Sequence, residues 1–241
     1  MQRELKPVFI QTKNVRNFNE MMKALDRAPG EGRFACVYSV AGYGKTETVK
    51  RWHALSGSSY YLRMLEIWQR SPRAFLAAFA KELGASYATN RIEYFHDEIV
   101  ARLRKKPVPI FLDEIEKLPI TFLEIVRDIT DLTGAPVVLI GEEYLLARIT
   151  DKRLRRVWSR TLEVMEFKPL KPEDVVVYAL EAADAKIPEE CAIALSNASG
   201  GDIRTMKRDL GAALRIANAR KSDITIEVIN AAIKAGARGA A

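Results

Sequence analysis

Apolar residues recur along the chain in two rhythms, and the alternation between them outlines the fold. In "NVRNFNEMMKALDRAPGEG" they return every three to four positions, which predicts a helix starting near Asn17 or Asn19 and stopped by the Pro29–Gly30 pair. A compact apolar run, "RFACVYSV", then predicts a buried strand. After a Gly-rich loop, "KTETVKRWHAL" resumes helical spacing. "SSYYLRML" reads as a second strand, and "SPRAFLAAFAKELG" as a helix with Pro72 near its start and Gly84 just past its end. "EYFHDEIVARLRKK" and "PITFLEIVRDITDLTG" are further amphipathic helices, and "PVPIFLDE", "APVVLIG" and "TLEVMEF" are further strands. Strands that are apolar throughout and alternate with helices predict a parallel sheet covered on both faces. From "KPLKPEDVVVYALEAA" onward only helical patterns occur, at about 171–184, 188–198, 202–220 and 225–236. The expected division is therefore an α/β core with a short N-terminal arm over 1–168 and a smaller helical domain over 169–241.

Composition narrows the class without choosing a function. The 241 residues are 48% hydrophobic and 29% charged, which excludes a disordered chain. A net charge of +7 favours a polyanionic partner. Cys36 and Cys191 lie far apart in apolar segments and read as small buried side chains; His53 and His96 are isolated, so no metal-ligand spacing is present. No apolar run reaches the roughly 18–20 residues of a membrane helix, and the start of the chain carries no signal-peptide core. The expectation is a cytoplasmic protein with no membrane partner.

Chemistry concentrates in "SVAGYGKTE", residues 39–47. Glycines let backbone N–H groups line a concavity, and the helix that follows directs its positive end at the same place. The pattern is a phosphate-binding loop with Ser39 where the first Gly usually stands, a small residue that the turn should tolerate. Ala41, Gly42, Tyr43, Gly44, Lys45, Thr46 and Glu47 are the expected nucleotide contacts. Lys45 would reach the β and γ phosphates and Thr46 would bind Mg²⁺. In "VPIFLDEIEKL" a strand delivers Asp113, suited to the metal, and Glu114, suited to act as base or orienter for the attacking water. "RLRRVWSR" places five cations in a short stretch counting Lys152, which reads either as a solvated basic face or as the source of an Arg that reaches a neighbouring subunit's γ-phosphate, for which Arg160, with Arg156 second, is the candidate. In "SGGDIRTMKRDL", Arg204 stands near a helix start after a Gly pair, placed to reach bound phosphates.

Taken in order, "AGYGKT", "IFLDE", "VVLIGEE", "RLRRVWSR" and "GGDIRTMKRDL" resemble the AAA+ ATPases from about residue 10 to residue 218. Within them, "TKNVRNF", "LDEIEKL" and "LIGEEYLLARI" are similar to the DNA-transposition ATPases of transposable phages and bacterial transposons. The resemblance implies a P-loop core with a helical lid, ATP and Mg²⁺ as ligands, and assembly into filaments or rings on double-stranded DNA without marked sequence preference. It also implies a transposase partner that stimulates hydrolysis and disassembly. By motif it assigns Lys45 and Thr46 to the loop, Asp113 and Glu114 to metal and water, Arg160 to the trans-acting finger and Arg204 to the lid sensor. The strand "PVVLIGEE" lacks the polar residue common at the first sensor, and Glu142 is the nearest substitute. With about 30 residues before the core, DNA contact is expected from core or lid, with Lys105, Lys106, Arg153, Arg155, Lys207 and Arg208 as candidates. The nearest alternative is a replication initiator or helicase loader. A protein remodeller is disfavoured because no aromatic-hydrophobic-Gly pore segment stands at a suitable place.

Overall fold

A computed structural model describes residues 3–28, 33–86 and 91–238, so the helix stop expected at Pro29 and Gly30 lies outside the described residues. The chain divides into two compact units: residues within 17–40 and 45–167 form one, and those within 1–16, 41–44 and 168–241 form the other.

The sheet unit is built from α1 (Lys13–Arg27) from residue 17 onward, β1 (Phe34–Tyr38), α2 (Lys45–Ser56), β2 (Tyr60–Arg63), α3 (Pro72–Glu82), α4 (Ile92–Lys105) and β3 (Ile110–Asp113). It continues through α5 (Ile120–Thr133), β4 (Val137–Gly141), α6 (Leu145–Ile149), α7 (Arg155–Trp158) and β5 (Thr161–Glu166). α1 starts earlier than the Asn17–Asn19 expectation because Thr12 Oγ1 accepts the Val15 N–H at 3.3 Å and caps the first turn. Local chemistry fixes other boundaries. Ser71 accepts the Ala74 N–H at 3.1 Å ahead of Pro72, and Gly134, at φ 68°, closes α5 through a 2.8 Å bond to the Thr130 carbonyl.

Among the described residues five strands form one parallel sheet in the order β2-β3-β4-β1-β5. One face carries Phe34, Cys36, Leu112 and Leu139 against Phe75, Phe79, Ile99 and Leu123 from α3, α4 and α5. The other stacks Phe111 against Phe18 of α1 and Trp52 of α2, with ring centroids 6.3 and 5.3 Å apart. Burial on both faces explains why β1, β3 and β4 read as unbroken apolar runs. β5 departs from that expectation: it lies at the sheet edge beside β1, and Leu162 and Val164 stay exposed.

The helical unit packs α8 (Pro172–Ala183), α9 (Glu189–Ser199), α10 (Ile203–Arg220) and α11 (Ile226–Arg238) around Val175, Leu195, Met206, Leu210 and Ile229. The arm, expected with the sheet, belongs here instead. Leu5, Val8 and Ile10 lie against this core, and the Lys6 N–H donates to the Ala182 carbonyl at 2.8 Å. The Asn218 side chain exchanges two hydrogen bonds with the Arg3 backbone, at 3.1 and 2.8 Å. An extended segment without a strand partner must satisfy its backbone elsewhere, and an Asn amide can do both halves. Among the described residues no helix is long and apolar enough to cross a membrane.

Candidate functional site

The phosphate loop begins where β1 ends. Ser39 is buried, and its backbone does not adopt the positive φ that would demand glycine. Its hydroxyl and carbonyl have a use: Lys45 Nζ donates to Ser39 O at 2.8 Å, Ser39 Oγ at 2.9 Å and Val40 O at 3.1 Å. Gly42 and Gly44 sit at φ 89° and 90°, a region open to glycine and strained for side-chain-bearing residues. Lys45 and Thr46 open α2, so the loop meets the positive end of a 12-residue helix.

β3 brings the acids. Asp113 is buried at the strand's last residue, with Oδ2 accepting from Thr46 Oγ1 at 2.8 Å and from Tyr61 OH at 2.7 Å, and Oδ1 accepting the Glu114 N–H at 2.9 Å. The two motif halves, 67 residues apart, thus meet in one hydrogen bond. Burial, and then the Asp113 carboxylate, push the Tyr61 phenol well above its ordinary range, so it stays a donor. Glu114 occupies the left-handed region at φ 58°, a costly conformation for a residue with a Cβ. Its Oε1 accepts from Arg63 Nη2 at 2.5 Å and its Oε2 from Lys117 Nζ. Burial alone would raise this carboxyl; the hydrogen bonds and charges of Arg63 and Lys117 outweigh it and hold Glu114 below the usual carboxylate range.

These groups fit a nucleotide with a hard divalent cation. A lysine ammonium and a glycine-curled loop suit phosphate, and a hydroxyl beside a carboxylate offers the oxygen ligands that Mg²⁺ prefers.

Other expected residues scatter. Glu47 is exposed on the first turn of α2, and Glu142 is exposed just past β4. Within the helical unit the loop tip is held by the turn before α10: the Ile203 N–H donates to Gly42 O at 3.0 Å and Tyr43 OH to Gly200 O at 3.2 Å. Arg204, exposed, follows directly and so stands beside that tip, with Ala41 exposed in it. Arg160 is bonded within its own chain, Nε to Asp131 at 2.6 Å and Nη1 to the Arg156 carbonyl at 3.0 Å, whereas Arg156 is exposed. Among the DNA candidates, Lys105, Lys106 and Arg155 are exposed, Arg153 pairs with Asp151 at 2.9 Å, Lys207 lies over the Tyr178 ring and Arg208 pairs with Asp209 at 2.8 Å.

Sequence reasoning missed Tyr61, Arg63, Lys117 and Glu116. The first two reach Asp113 and Glu114 because β2 pairs with β3, Arg63 level with Asp113. That adjacency skips two helices and leaves no local signal. Lys117 was readable in part, since it stands three residues after Glu114 on a turn.

Residues 28–149, just over half of the chain, match the protein family described as AAA domain. The Mu-like prophage FluMu DNA transposition protein B of Haemophilus influenzae is 26% identical over 178 residues, 72% of this chain and 61% of that protein. The chain therefore spans about three fifths of this relative's length. Among solved structures, Cdc6p of Pyrobaculum aerophilum superposes with a TM-score of 0.69 at 17% identity, over 94% of this chain and 69% of that one. The ORC1 protein of Aeropyrum pernix, solved in complex with DNA, gives 0.60 at 19% identity, over 94% and 65%. At those identities the likeness establishes a common α/β AAA+ fold.

Proposed function

The chain belongs to the AAA domain family, and on that premise we propose that it is an ATPase that assembles on double-stranded DNA without strong sequence preference and delivers that DNA to a transposase. The observation that carries the ATPase part is the Thr46–Asp113 hydrogen bond, which joins the phosphate loop to the acidic strand end with Lys45 and Glu114 on either side. The similarity to a prophage DNA transposition protein supports the rest.

In this reading Lys45 Nζ exchanges its three loop oxygens for phosphate oxygens of ATP. Thr46 and Asp113 would hold Mg²⁺, which when bound neutralises charge on the phosphates. Glu114 takes the proton of the attacking water once Arg63 and Lys117 yield its oxygens. Arg204, beside the loop tip, reads the nucleotide. Copies of the chain associate, and Arg160, leaving Asp131, or the exposed Arg156 reaches the neighbour's terminal phosphate. Exposed Lys and Arg contact the DNA backbone, and repetition along a filament or ring multiplies weak contacts. Hydrolysis then loosens the assembly, so the ATPase limits how long DNA stays occupied.

The test is negative-stain electron microscopy with ATP and Mg²⁺, with and without plasmid DNA, beside Lys45→Ala. Nucleotide-dependent assemblies coating the DNA, absent in the variant, support the reading. Discrete particles that ignore DNA would overturn it in favour of a loader or remodeller.

A further inference from the structure

The sheet order sets the end of β4 between β1 and β3, with Gly141 level with Tyr38 and Ile140 level with Asp113. A polar group at Gly141 stands one residue short of Ser39 on one side and one residue beyond Asp113 on the other. Gly141 contributes no side chain. The space is filled by Glu116, from the turn after β3, and by Leu145 of α6: a Cβ on Gly141 would come within 2.6 Å of Glu116 Oε2 and 2.9 Å of Leu145 Cδ2. The Arg148 guanidinium donates to the Glu116 carbonyl at 2.8 Å and fixes that turn. Backbone N–H groups of Glu116 and Glu142 donate to the carboxyl, yet Oε2 is buried with no partner. A buried polar atom left unpaired costs stability and calls for a reason.

The surroundings oppose a charge on this group. Burial first, then the Glu142 and Glu114 carboxylates, hold the Glu116 carboxyl above the ordinary range; Tyr144 and Arg148 also face it. A carboxylate at this place would repel a triphosphate, whereas a neutral carboxyl carries an O–H to donate. Rotation about its terminal bond aims either oxygen at a new partner at little cost.

We infer that Glu116, not Glu142, is the polar group that the end of β4 offers to the terminal phosphate, acting in its neutral form as a hydrogen-bond donor. The inference rests on the ATPase reading above. It explains why β4 can end in Gly-Glu: the bare Gly141 leaves room for a side chain from the neighbouring turn.

The experiment compares wild type, Glu116→Ala and Glu116→Gln for ATP affinity, single-turnover hydrolysis against pH, and the protonated-carboxyl infrared band of the nucleotide-free protein. Loss of one preorganised donor costs about 10²-fold in rate, so Glu116→Ala should fall by that order with ATP affinity retained. Glu116→Gln keeps a neutral donor and should recover most of the loss while abolishing the fall in rate at high pH. The infrared band should be present in wild type, missing in Glu116→Gln, and fade over the same pH range as that limb. A Glu116→Ala rate equal to wild type, or no such band, overturns the inference while leaving the ATPase reading intact. Wild type that binds no ATP removes both.

Discussion

Arg63 Nη2 lies 2.5 Å from Glu114 Oε1, so the last residue of β2 grips the carboxylate that should serve as base at the end of β3. With Lys117 on the other oxygen, both Glu114 oxygens are engaged by cations, and it is a weaker base than an ordinary glutamate. Arg63→Ala should therefore raise DNA-free ATP turnover, by up to about tenfold. The sign for pH follows: the folded-state Glu114 value is depressed, so removing a cation raises it, and the acidic limb of the rate profile should move to higher pH. Turnover that drops in Arg63→Ala would mean that the ion pair positions Glu114 productively.

Asp113 gathers three donors at a buried position, and each depends on it differently. Tyr61→Phe removes one neutral hydrogen bond but leaves Asp113 with Thr46 and the Glu114 N–H, so urea unfolding should show a loss of about 1 kcal/mol. Asp113→Ala leaves all three donors facing a void and should cost more than three times as much. No loss in Tyr61→Phe would mean that Tyr61 holds the site by packing rather than through its hydroxyl.

Much of this was legible in sequence because burial writes itself into local pattern. β1, β3 and β4 are covered on both faces and so read as continuous apolar runs, and the Gly-rich loop and "LDE" sit at the ends of two of them. Pairing was not legible. Nothing local to "YYLR" says that it lies beside β3, yet that placement is what brings Tyr61 and Arg63 to the acids. The arm was misplaced for a similar reason: its Arg3 backbone is satisfied by Asn218, 215 residues away, and its Lys6 N–H by the Ala182 carbonyl. Ser39 was judged tolerable on size, and the structure adds that its oxygens hold the Lys45 ammonium.

Gly42 offers a sharper test of the loop than Lys45. At φ 89° a Cβ is strained whatever surrounds it, and here it would also lie 1.9 Å from Asp202 Oδ2. Gly42→Ala should abolish ATP binding measured by fluorescent-nucleotide titration. Adding Asp202→Ala removes the collision but not the backbone strain, and it also strips the cap that accepts the Thr205 N–H at 2.8 Å. The double variant should therefore stay inactive in binding. Recovery would show that the collision, and not the loop's curvature, was limiting.

The end of α5 selects among the DNA candidates. Arg104 Nε donates to the Leu132 carbonyl at 3.1 Å, and Arg160 Nε bonds Asp131, the residue before it. The end of α4, with Lys105 and Lys106, and the basic run that carries Arg155 and Arg156 therefore converge on one place. Lys207, by contrast, is already engaged over the Tyr178 ring at 5.1 Å. If this convergence is the DNA face, Lys105→Ala and Lys106→Ala should weaken binding to unrelated duplexes alike. Removing one phosphate-neutralising cation should reduce the slope of log affinity against log salt by about 0.9. Lys207→Ala should leave that slope unchanged, because its ammonium is held over the Tyr178 ring rather than presented to a phosphate. Fluorescence anisotropy at several salt concentrations decides the matter, and a slope that changes only with Lys207 would move the DNA face to α10.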